Sequence, residues 1–289
     1  MLTLKARAKI NLALDVLAKR PDGYHEVDMI MQSLELADGI RIEPAAELSV
    51  ACDHPAVPGD ERNLAFRAAL LLRESSGITA GARIVIDKKI PVAAGLAGGS
   101  SDAAATLLGL NRLWKLEWSE ERLAALAVRI GADVPYCLHG GTARATGIGE
   151  KLTPLAGPSD CRVLLVTPDV AVPTARIYQS LRLAEIRNHP RVDRLVQRLK
   201  WGAVAGIEAD WGNVLEEAAL PQFPVIAQVK ELFGRFGLAS LMSGSGPSVF
   251  ALNPPAEAAA GLLARLPGNW FGCLTRFQAA RNEQDASVK

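Results

Sequence analysis

The chain is poor in cysteine and shows no pattern typical of a zinc site or a disulfide framework. Its 289 residues contain four cysteines, far apart and without a CxxC pair or a nearby histidine cluster. Reduced thiols of a cytoplasmic protein fit this spacing better than a disulfide or a metal site. The four are Cys52, Cys137, Cys161 and Cys273.

Neither sign of charge dominates, and there is no long apolar run. Lysine and arginine total 32 against 31 aspartates and glutamates, a net charge of +1, so bulk charge does not favour a nucleic-acid or membrane-surface partner. No segment approaches the roughly 20 apolar residues of a membrane span, and the N-terminus lacks the apolar core of a signal peptide. We expect a cytoplasmic monomer or weak homodimer whose partners are small molecules, with no nucleic acid and no membrane.

Composition and length favour two modest domains that share an interface. Hydrophobic residues make up 49% of the chain, enough for a sizeable core, and 289 residues exceed the usual single domain. Pro154, Gly157 and Pro158 cluster at the best candidate boundary. We therefore expect domains at residues 1–157 and 158–289.

The spacing of apolar residues predicts the main elements. Ile10, Leu12 and Leu14 alternate and are expected on one face of a strand, whereas Ser119 is a plausible helix N-cap and Gly131 a natural helix stop. The polar tail from about residue 281 is expected to fray. Strands are predicted at 4–16, 82–86, 161–166 and 249–252, and helices at 63–73, 103–114, 119–130, 173–181, 192–199, 225–236 and 256–266.

Two glycine-rich loops suggest a polyphosphate ligand. The first, PVAAGLAGGSS at residues 91–101, enters a helix whose N-terminal N–H groups and partial positive charge suit an anion. It matches neither the P-loop nor the dinucleotide pattern, and close helix–sheet packing would also explain it. The second, SGSGPS at residues 243–248, is a flexible turn by itself. Two such loops in a chain without linker composition favour the ligand.

Lys9 and Asp133 are candidates for chemistry. Lys9 lies among apolar strand residues and shares a face with Asn11. A lysine that faces a core is rare unless paired, but one on an edge strand that reaches water is more common. Asp133 follows a predicted helix in a proline-restricted turn, where aspartates are frequent. If the two meet, the acid would orient or deprotonate an attacking hydroxyl while the lysine balances charge.

Tyr24 and His25 follow the turn signal of Pro21–Gly23 in RPDGYHEV. Together they could contact a flat polar ring by stacking and hydrogen bonding. A lone histidine is more often a surface or capping residue, so this segment alone is weak evidence for a binding site.

These segments together resemble the GHMP kinases, named for galactose, homoserine, mevalonate and phosphomevalonate kinases. KINLALDV is similar to their first motif, PVAAGLAGGSSDAA to their phosphate loop and SGSGPSVF to their third motif. RPDGYHE and GADVP discriminate more, and they resemble the members that act on a cytidine diphosphate conjugate of methylerythritol. The resemblance extends from near the first residue to about Gln278.

The resemblance implies an α+β fold of two domains, an N-terminal ribosomal-S5-like domain and a C-terminal ferredoxin-like domain, with the site in the cleft. It also implies ATP as co-substrate, with Mg²⁺ carried on the phosphates rather than by an assigned protein ligand. The implied reaction phosphorylates the 2-hydroxyl of the methylerythritol part, a step of the non-mevalonate route to isoprenoid precursors.

Position by position, the resemblance assigns roles to site residues. Lys9 and Asp133 match the catalytic pair, and Asn11 lies beside them near the reacting hydroxyl. Tyr24 and His25 match the part that recognises cytosine. The remaining positions are Tyr178 against the base, Asn63 and Lys88 near the adenosine, and the nucleotide-binding run Pro91, Val92, Ala93, Ala94, Gly95, Leu96, Ala97, Gly98, Gly99, Ser100 and Ser101.

Four positions depart from what other members carry. Met31 stands where some have an aromatic residue that can stack on the base, which argues against two-sided stacking but not against cytosine binding. Ala94 and Ala97 replace glycines, so their methyl groups must point away from the triphosphate or positive φ is not needed there. Asp102 stands where some members have asparagine.

Three other interpretations compete with this one. A GHMP kinase for mevalonate, homoserine or a sugar would share both glycine loops but has less reason for PDGYHEV. A non-catalytic nucleotide-binding protein of the same fold would be expected to lack Lys9 or Asp133. A structural protein with glycine-rich packing loops would not respond to ATP.

Overall fold

The structure, a computed structural model, describes residues 1–158, 160–202, 204–279 and 286–288. Within these residues two sheets alternate with helices, and no helix has the length and apolarity needed to cross a membrane. The elements are β1 (Leu2–Lys19), β2 (His25–Ala45), β3 (Leu48–Cys52), α1 (Leu64–Ser76), β4 (Gly81–Asp87), α2 (Gly98–Leu113), α3 (Glu120–Ala127), α4 (Val134–His139), β5 (Thr142–Gly147), β6 (Lys151–Leu155), β7 (Arg162–Thr167), α5 (Thr174–Ser180), α6 (Val192–Lys200), β8 (Gly212–Asn213), α7 (Glu216–Gln222), α8 (Pro224–Arg235), β9 (Leu241–Met242), β10 (Val249–Leu252), α9 (Ala256–Leu263), β11 (Phe271–Arg276) and β12 (Ala286–Val288).

The larger sheet is built on the long antiparallel pair of β1 and β2. Its strand order is β12-β1-β2-β4-β3, with β5 between β2 and β6 and with β8 parallel to β1. The smaller sheet, β11-β7-β10-β9, is antiparallel. Since β8 and β12 come from the second half of the chain and pair with β1, the two halves share a sheet. The division at residue 157 stays a prediction.

A register shift in β1 decides which side chains reach the site. Ile10 and Leu12 pack in one buried cluster with residues of β7, but Leu14 packs in the other. The pairing with β2 slips between Asn11 and Ala13, and an extra residue in one strand turns the following side chains to the opposite face. The prediction that the side chains of Ile10, Leu12 and Leu14 share a face is therefore wrong for Leu14.

Helix α2 packs closely against the larger sheet because Gly109 has no side chain. A Cβ built on Gly109 would lie 2.9 Å from Leu4 Cδ1 and closer still to Ile42 Cδ1. The helix buries Ala103, Leu107 and Leu110 against the sheet, as their spacing predicts. This close packing fixes the distance of α2 from β1 and β2. It thereby helps to position the helix N-terminus and the glycine loop that precedes it.

Most predicted elements are confirmed within a few residues, including α1, α2, β4, β7 and β10. Ser119 caps α3 by accepting a hydrogen bond from Arg122 N. However, α3 ends at Ala127, so neither the predicted end near Ile130 nor the stop at Gly131 is right. The short helix α4 was not predicted, because Pro135 suggested a turn, whereas proline is tolerated in the first turn of a helix.

Strand β2 is the longest element that periodicity missed. Its residues Met29–Leu34 are buried on both faces, so the alternation that marks a half-buried strand is lost. At the end of the chain, residues 280–285 lie outside the described part. The predicted fraying is wrong for Ala286–Val288, which pair with Leu2–Leu4.

Candidate active site

A cavity of about 920 Å³ collects almost all of the predicted site residues. Its wall is formed by β1, by the segment before α2, by the start of α4, and by α5 with the loop after β9. Of the residues named from the sequence, Leu96 and Ser101 do not line it. Both are buried: the Leu96 carbonyl accepts a hydrogen bond from Lys9 N, and Ser101 N donates to Ala97 O in the first turn of α2.

The segment Pro91–Ala97, called the phosphate loop after the motif that it resembles, ends where α2 begins. Ala93 and Ala97 adopt positive φ of 54° and 57°, as does Gly95 at 74°. Of the two alternatives stated for Ala94 and Ala97, Ala94 does not adopt positive φ, whereas Ala97 does; that the Ala97 methyl group points away from the triphosphate stays a prediction. A left-handed alanine is disfavoured by roughly 1–2 kcal/mol, so the surrounding contacts must hold it. The first turn of α2, with Gly98, Gly99 and Ser100, then presents its free N–H groups to the cavity.

The two glycine loops contact each other backbone to backbone. Ser243 Oγ donates to the Gly95 carbonyl at 3.0 Å, and Ser248 N donates to the Ala94 carbonyl at 3.4 Å. A Cβ built on Gly95 would lie 2.9 Å from the Gly246 carbonyl oxygen and closer still to that of Ser243. Glycine at position 95 is therefore required for this approach as well as for positive φ.

Lys9 and Asp133 meet, which was the condition for a catalytic role of this pair. Lys9 Nζ lies 3.7 Å from Asp133 Oδ2 and donates to Asn11 Oδ1 at 2.7 Å. Lys9 is only 4% exposed, and a buried ammonium requires an opposite charge and hydrogen-bond acceptors nearby. The Lys9 amine therefore faces the cavity and does not reach bulk water as an edge-strand lysine would.

Helix α4 sets the position of Asp133. The residue occupies the N-cap position of the helix but makes no capping bond with its side chain, which leaves the carboxylate free to face the cavity. Tyr136, fully buried in α4, donates through its hydroxyl to the Gly141 carbonyl at 2.7 Å and lies 3.1 Å from Ser33 Oγ. Burial raises the pKa of Tyr136, so its hydroxyl stays protonated as a donor.

His25 and Tyr178 lie together at another part of the cavity wall. Their ring centroids are 5.3 Å apart with planes tilted by 40°. Burial, with a smaller effect of Lys19, lowers the pKa of His25, so the neutral ring offers one donor and one acceptor nitrogen near pH 7. Burial raises the pKa of Tyr178. Tyr24 also lines the cavity but is 58% exposed.

Comparison with known proteins shows the family to which the chain belongs. Two family models match the chain, GHMP kinases N terminal domain at residues 63–141 and GHMP kinases C terminal at residues 200–271. A Geobacillus thermodenitrificans protein named 4-diphosphocytidyl-2-C-methyl-D-erythritol kinase is 53% identical over 87% of this chain and 88% of its own. The chain belongs to the 4-diphosphocytidyl-2-C-methyl-D-erythritol kinase family.

Other relatives agree with this family and with its fold. A Bacillus velezensis protein of the same name is 51% identical over 86% of each chain. A crystal structure of 4-(cytidine 5'-diphospho)-2C-methyl-D-erythritol kinase matches with a TM-score of 0.77 at 36% identity, over 95% of this chain and 99% of that one. A homoserine kinase from Cytophaga hutchinsonii, at 20% identity and a TM-score of 0.72, shows the GHMP fold alone. Kinases of the GHMP family use ATP.

Met31, where some family members have an aromatic residue, does not line the cavity. Met31 is 0% exposed and packs in the large buried cluster, away from the cavity wall. Met29 lines the cavity instead, and its sulfur accepts a hydrogen bond from Asn11 Nδ2 at 3.5 Å. The argument from Met31 against two-sided stacking therefore does not hold, because the side chain is not in reach of a ligand.

Lys88 belongs to a buried charged cluster that spacing did not reveal. It forms an ion pair with Asp38 of β2, and its Nζ lies 3.3 Å from Oδ2 of the Asp102 carboxyl group of α2. Asp38 Oδ1 also accepts from Lys89 N at 2.6 Å and Ile90 N at 2.8 Å. The cluster thereby ties the segment that enters the phosphate loop to β2 and to α2. Since Asp38 lies about fifty positions away in sequence, no local pattern could indicate it.

A group of cavity residues around Asn63 was also missed. Asn63 caps α1 by accepting from Ala65 N at 2.9 Å, and its amide donates to the Pro58 carbonyl at 2.8 Å. Its side chain thus holds the preceding loop in place. The family resemblance pointed to Asn63 but not to the residues around it, and no local sequence pattern marks those neighbours as ligand contacts. The neighbours that complete this wall are Ala56, Val57, Pro58, Arg62 and Leu64.

Replacing Gly95 by alanine tests the contact between the loops, with Gly77 as a matched control. The two glycines have φ of 74° and 72°, but a Cβ on Gly77 meets nothing within 4 Å. Both variants should lose about 1 kcal/mol of unfolding free energy from the backbone conformation. Only Gly95→Ala should push the loops apart and weaken binding of Mg²⁺ and a non-hydrolysable ATP analogue, by about tenfold or more. Equal analogue affinities in calorimetry would contradict the contact.

Replacing Asp102 by asparagine should change how stability depends on pH. Burial raises the pKa of Asp102 from 3.8 to about 8, with Lys88 opposing this and Asp38 adding to it. The folded state then binds a proton that the unfolded state has lost, so stability is greatest below pH 3.8 for this group and falls as pH rises through about 8. The melting temperature of Asp102→Asn relative to wild type should rise across that interval. Parallel melting curves at every pH would contradict the shift.

Proposed function

We propose that the chain transfers the γ-phosphoryl group of ATP to the 2-hydroxyl of 4-diphosphocytidyl-2-C-methyl-D-erythritol, giving ADP and the 2-phosphate. The reaction would be a step of the non-mevalonate route to isoprenoid precursors. The observation that carries the proposal is the ion pair between Lys9 and Asp133, in the same cavity as the phosphate loop and the His25–Tyr178 pair. The names of the relatives support the choice of acceptor.

Asp133 and Lys9 have complementary roles in the proposed transfer. The Asp133 carboxylate accepts the proton of the acceptor hydroxyl or orients it for in-line attack on the γ-phosphorus. Lys9 keeps that carboxylate ionised and balances negative charge on the group in transfer. Asn11 holds the lysine amine by its 2.7 Å hydrogen bond, which leaves the remaining ammonium protons for Asp133 and the phosphoryl oxygens.

The phosphate loop and α2 supply the binding site for the triphosphate. The backbone N–H groups at the start of α2 and the positive end of its dipole stabilise an anion without a dedicated cation. The hydroxyl of Ser100 lines the same wall. Asn63 and Lys88 line the cavity as well and remain candidates for the adenosine side.

Magnesium fits this site as an ion brought by the nucleotide. Among the described residues, no group of three or more histidine, cysteine, aspartate or glutamate side chains could hold a metal ion. Mg²⁺ commonly keeps several waters and binds through one or two side chains together with substrate phosphates. The hydroxyl of Ser100 faces the cavity and would be a protein group available to such an ion. When bound, Mg²⁺ would neutralise charge on the β- and γ-phosphates.

His25, Tyr178 and Tyr24 form the proposed cytosine site. A neutral imidazole can both donate and accept, which suits the amino and ring-nitrogen edge of cytosine. The Tyr178 ring beside it offers a flat face for stacking.

The proposal extends to a cytoplasmic monomer or weak homodimer divided into domains at residues 1–157 and 158–289.

ADP release with Mg²⁺ and ATP tests the function directly. The panel is the cytidylyl methylerythritol conjugate, its uridylyl analogue, mevalonate, homoserine and galactose. We expect turnover confined to the cytidylyl compound, because the base contacts select it. Turnover with mevalonate, homoserine or galactose alone would leave the family fold intact and overturn the proposed acceptor.

The same assay separates the base site from the rest of the cavity. His25→Ala should raise KM for the cytidylyl compound much more than KM for ATP. His139→Ala is the matched control, since His139 contacts Glu120 outside the cavity and its loss should leave both constants unchanged. An unaltered KM in His25→Ala would remove His25 from cytosine recognition.

Asp133→Asn tests the proposed base. Because Asp133 does not cap α4 with its side chain, asparagine should leave the helix and the ATP affinity intact, while loss of the charge opposite Lys9 should lower thermal stability. We expect kcat to fall by about 10²–10⁴-fold, the usual contribution of general acid–base catalysis, while analogue binding measured by calorimetry stays near wild type. A kcat close to that of wild type would show that Asp133 has no part in the transfer.

A further inference from the structure

A short segment from the second half of the chain connects β1 to the second glycine loop. This clamp segment, Gly212–Glu216, begins as β8, where Asn213 pairs with Leu14 in parallel register. Val214 N donates to the Leu14 carbonyl at 3.0 Å. The segment is thus attached to the strand that carries Lys9 and Asn11, only a few residues from them.

Asn213 uses its whole amide to hold the loop after β9. Nδ2 donates to the Met242 carbonyl at 2.8 Å and to the Gly244 carbonyl at 2.7 Å, while Oδ1 accepts from Leu215 N at 3.0 Å. The residue is 6% exposed, so water cannot replace these bonds. An amide is the side-chain group that offers two donors and an acceptor in one plane.

Glu216 adds a second attachment at the same point. Its Oε1 accepts from Met242 N at 2.8 Å, and Lys230 holds the carboxylate at 2.6 Å. Asn213 and Glu216 therefore bind the carbonyl and the amide of one residue, Met242. The start of the loop at residues 243–248 is fixed in relation to β1 by side-chain hydrogen bonds rather than by a long sheet ladder.

The loop held in this way touches the reacting part of the site. Gly244 has a φ of 57°, and a Cβ built on it would lie 3.5 Å from Lys9 Nζ and 3.0 Å from the Gly95 carbonyl oxygen. Its backbone therefore fills the space between the lysine amine and the phosphate loop. Movement of Gly244 would change the position of both, and a displacement of about 1 Å can lower a rate by roughly 100-fold.

We propose that Asn213 is a positioning residue for phosphoryl transfer. By holding the Gly244 carbonyl, it keeps the loop packed between Lys9 and Gly95 and so sets the distance between the lysine amine and the bound phosphates. Asn213 does not touch the substrate in this arrangement. The inference rests on the proposed function for its kinetic readout and on ATP binding, a property of the family, for its second readout.

Asn213→Ala is tested against Asn111→Ala. Asn111 also bridges backbone groups, since it donates to the Trp118 carbonyl and accepts from Trp118 N, both at 3.1 Å, and it lies outside the cavity wall. Both variants should lose thermal stability. At a temperature well below either melting point, Asn213→Ala should lower kcat by about tenfold or more, with less than about a threefold change in KM for the cytidylyl compound. Asn111→Ala should keep the wild-type kcat. A wild-type kcat in Asn213→Ala would overturn the proposal.

A second variant covers the case in which Asn213→Ala does not fold. Asn213→Asp keeps the acceptor for Leu215 N but places a carboxylate oxygen against two carbonyls, so its pKa should rise. Glu216 of α7 and Lys230 of α8 lie at the same Met242, and Lys9 of β1 lies beside Gly244. Asp15, which follows the paired Leu14, and its partner His189 are further titratable groups on the elements around β8. The activity of this variant relative to wild type should increase as pH falls, because the protonated carboxyl donates to one carbonyl. A constant ratio across pH would count against the proposal.

Failure of the proposed function is separable from failure of this inference. If wild type turns over no member of the panel, the function is wrong. Binding of Mg²⁺ with a non-hydrolysable ATP analogue still tests the loop. The dissociation constant should rise by about threefold or more in Asn213→Ala and stay unchanged in Asn111→Ala. Equal constants in the two variants would overturn the positioning role whatever the acceptor.

Discussion

A lysine ammonium held almost entirely out of water is the constraint on which the centre of this molecule depends. Burying a charge is strongly unfavourable unless an opposite charge and hydrogen-bond acceptors compensate. Lys9 finds both, in Asp133 at 3.7 Å and in Asn11 at 2.7 Å. The two partners reach it by different routes, Asn11 from the same strand and Asp133 from the start of α4. The Lys9–Asp133 ion pair thus joins β1 and the start of α4 at one cavity.

Around that pair, the absence of side chains matters as much as their presence. Gly95 and Gly244 let two loops from opposite halves of the chain meet backbone to backbone beside the lysine. Ala97 takes a left-handed conformation at the entrance to α2, which is unfavourable for alanine by itself. Its carbonyl accepts a hydrogen bond from Ser101 N at 2.9 Å in the first turn of the helix. The two loops are therefore held in place by contacts within the protein itself.

Buried polar groups behind the site hold the loops at their bases. Asp38 binds two backbone N–H groups and Lys88 where the chain enters the phosphate loop. Asn213 and Glu216 bind Met242 where it enters the other loop. In both places a side chain that is distant in sequence replaces regular secondary structure. Since an unpaired group would be costly to bury, such networks favour one arrangement of the loops over others.

Much of this molecule could be predicted from local patterns. The 3.6-residue spacing predicted α1, α2 and α8, the period of two placed Lys9 and Asn11 together, and the glycine composition marked both loops, since each depends on neighbouring residues only. Local patterns could not predict the register shift that turns Leu14 toward the cavity, the burial of Met31, or the pairing of Asp38 with Lys88. Nor did they indicate Asn213. The amino-acid sequence by itself determined which residues were suited to the chemistry. The tertiary structure alone decided which of them meet, because those contacts join segments tens to hundreds of residues apart and leave no periodic signal in either segment.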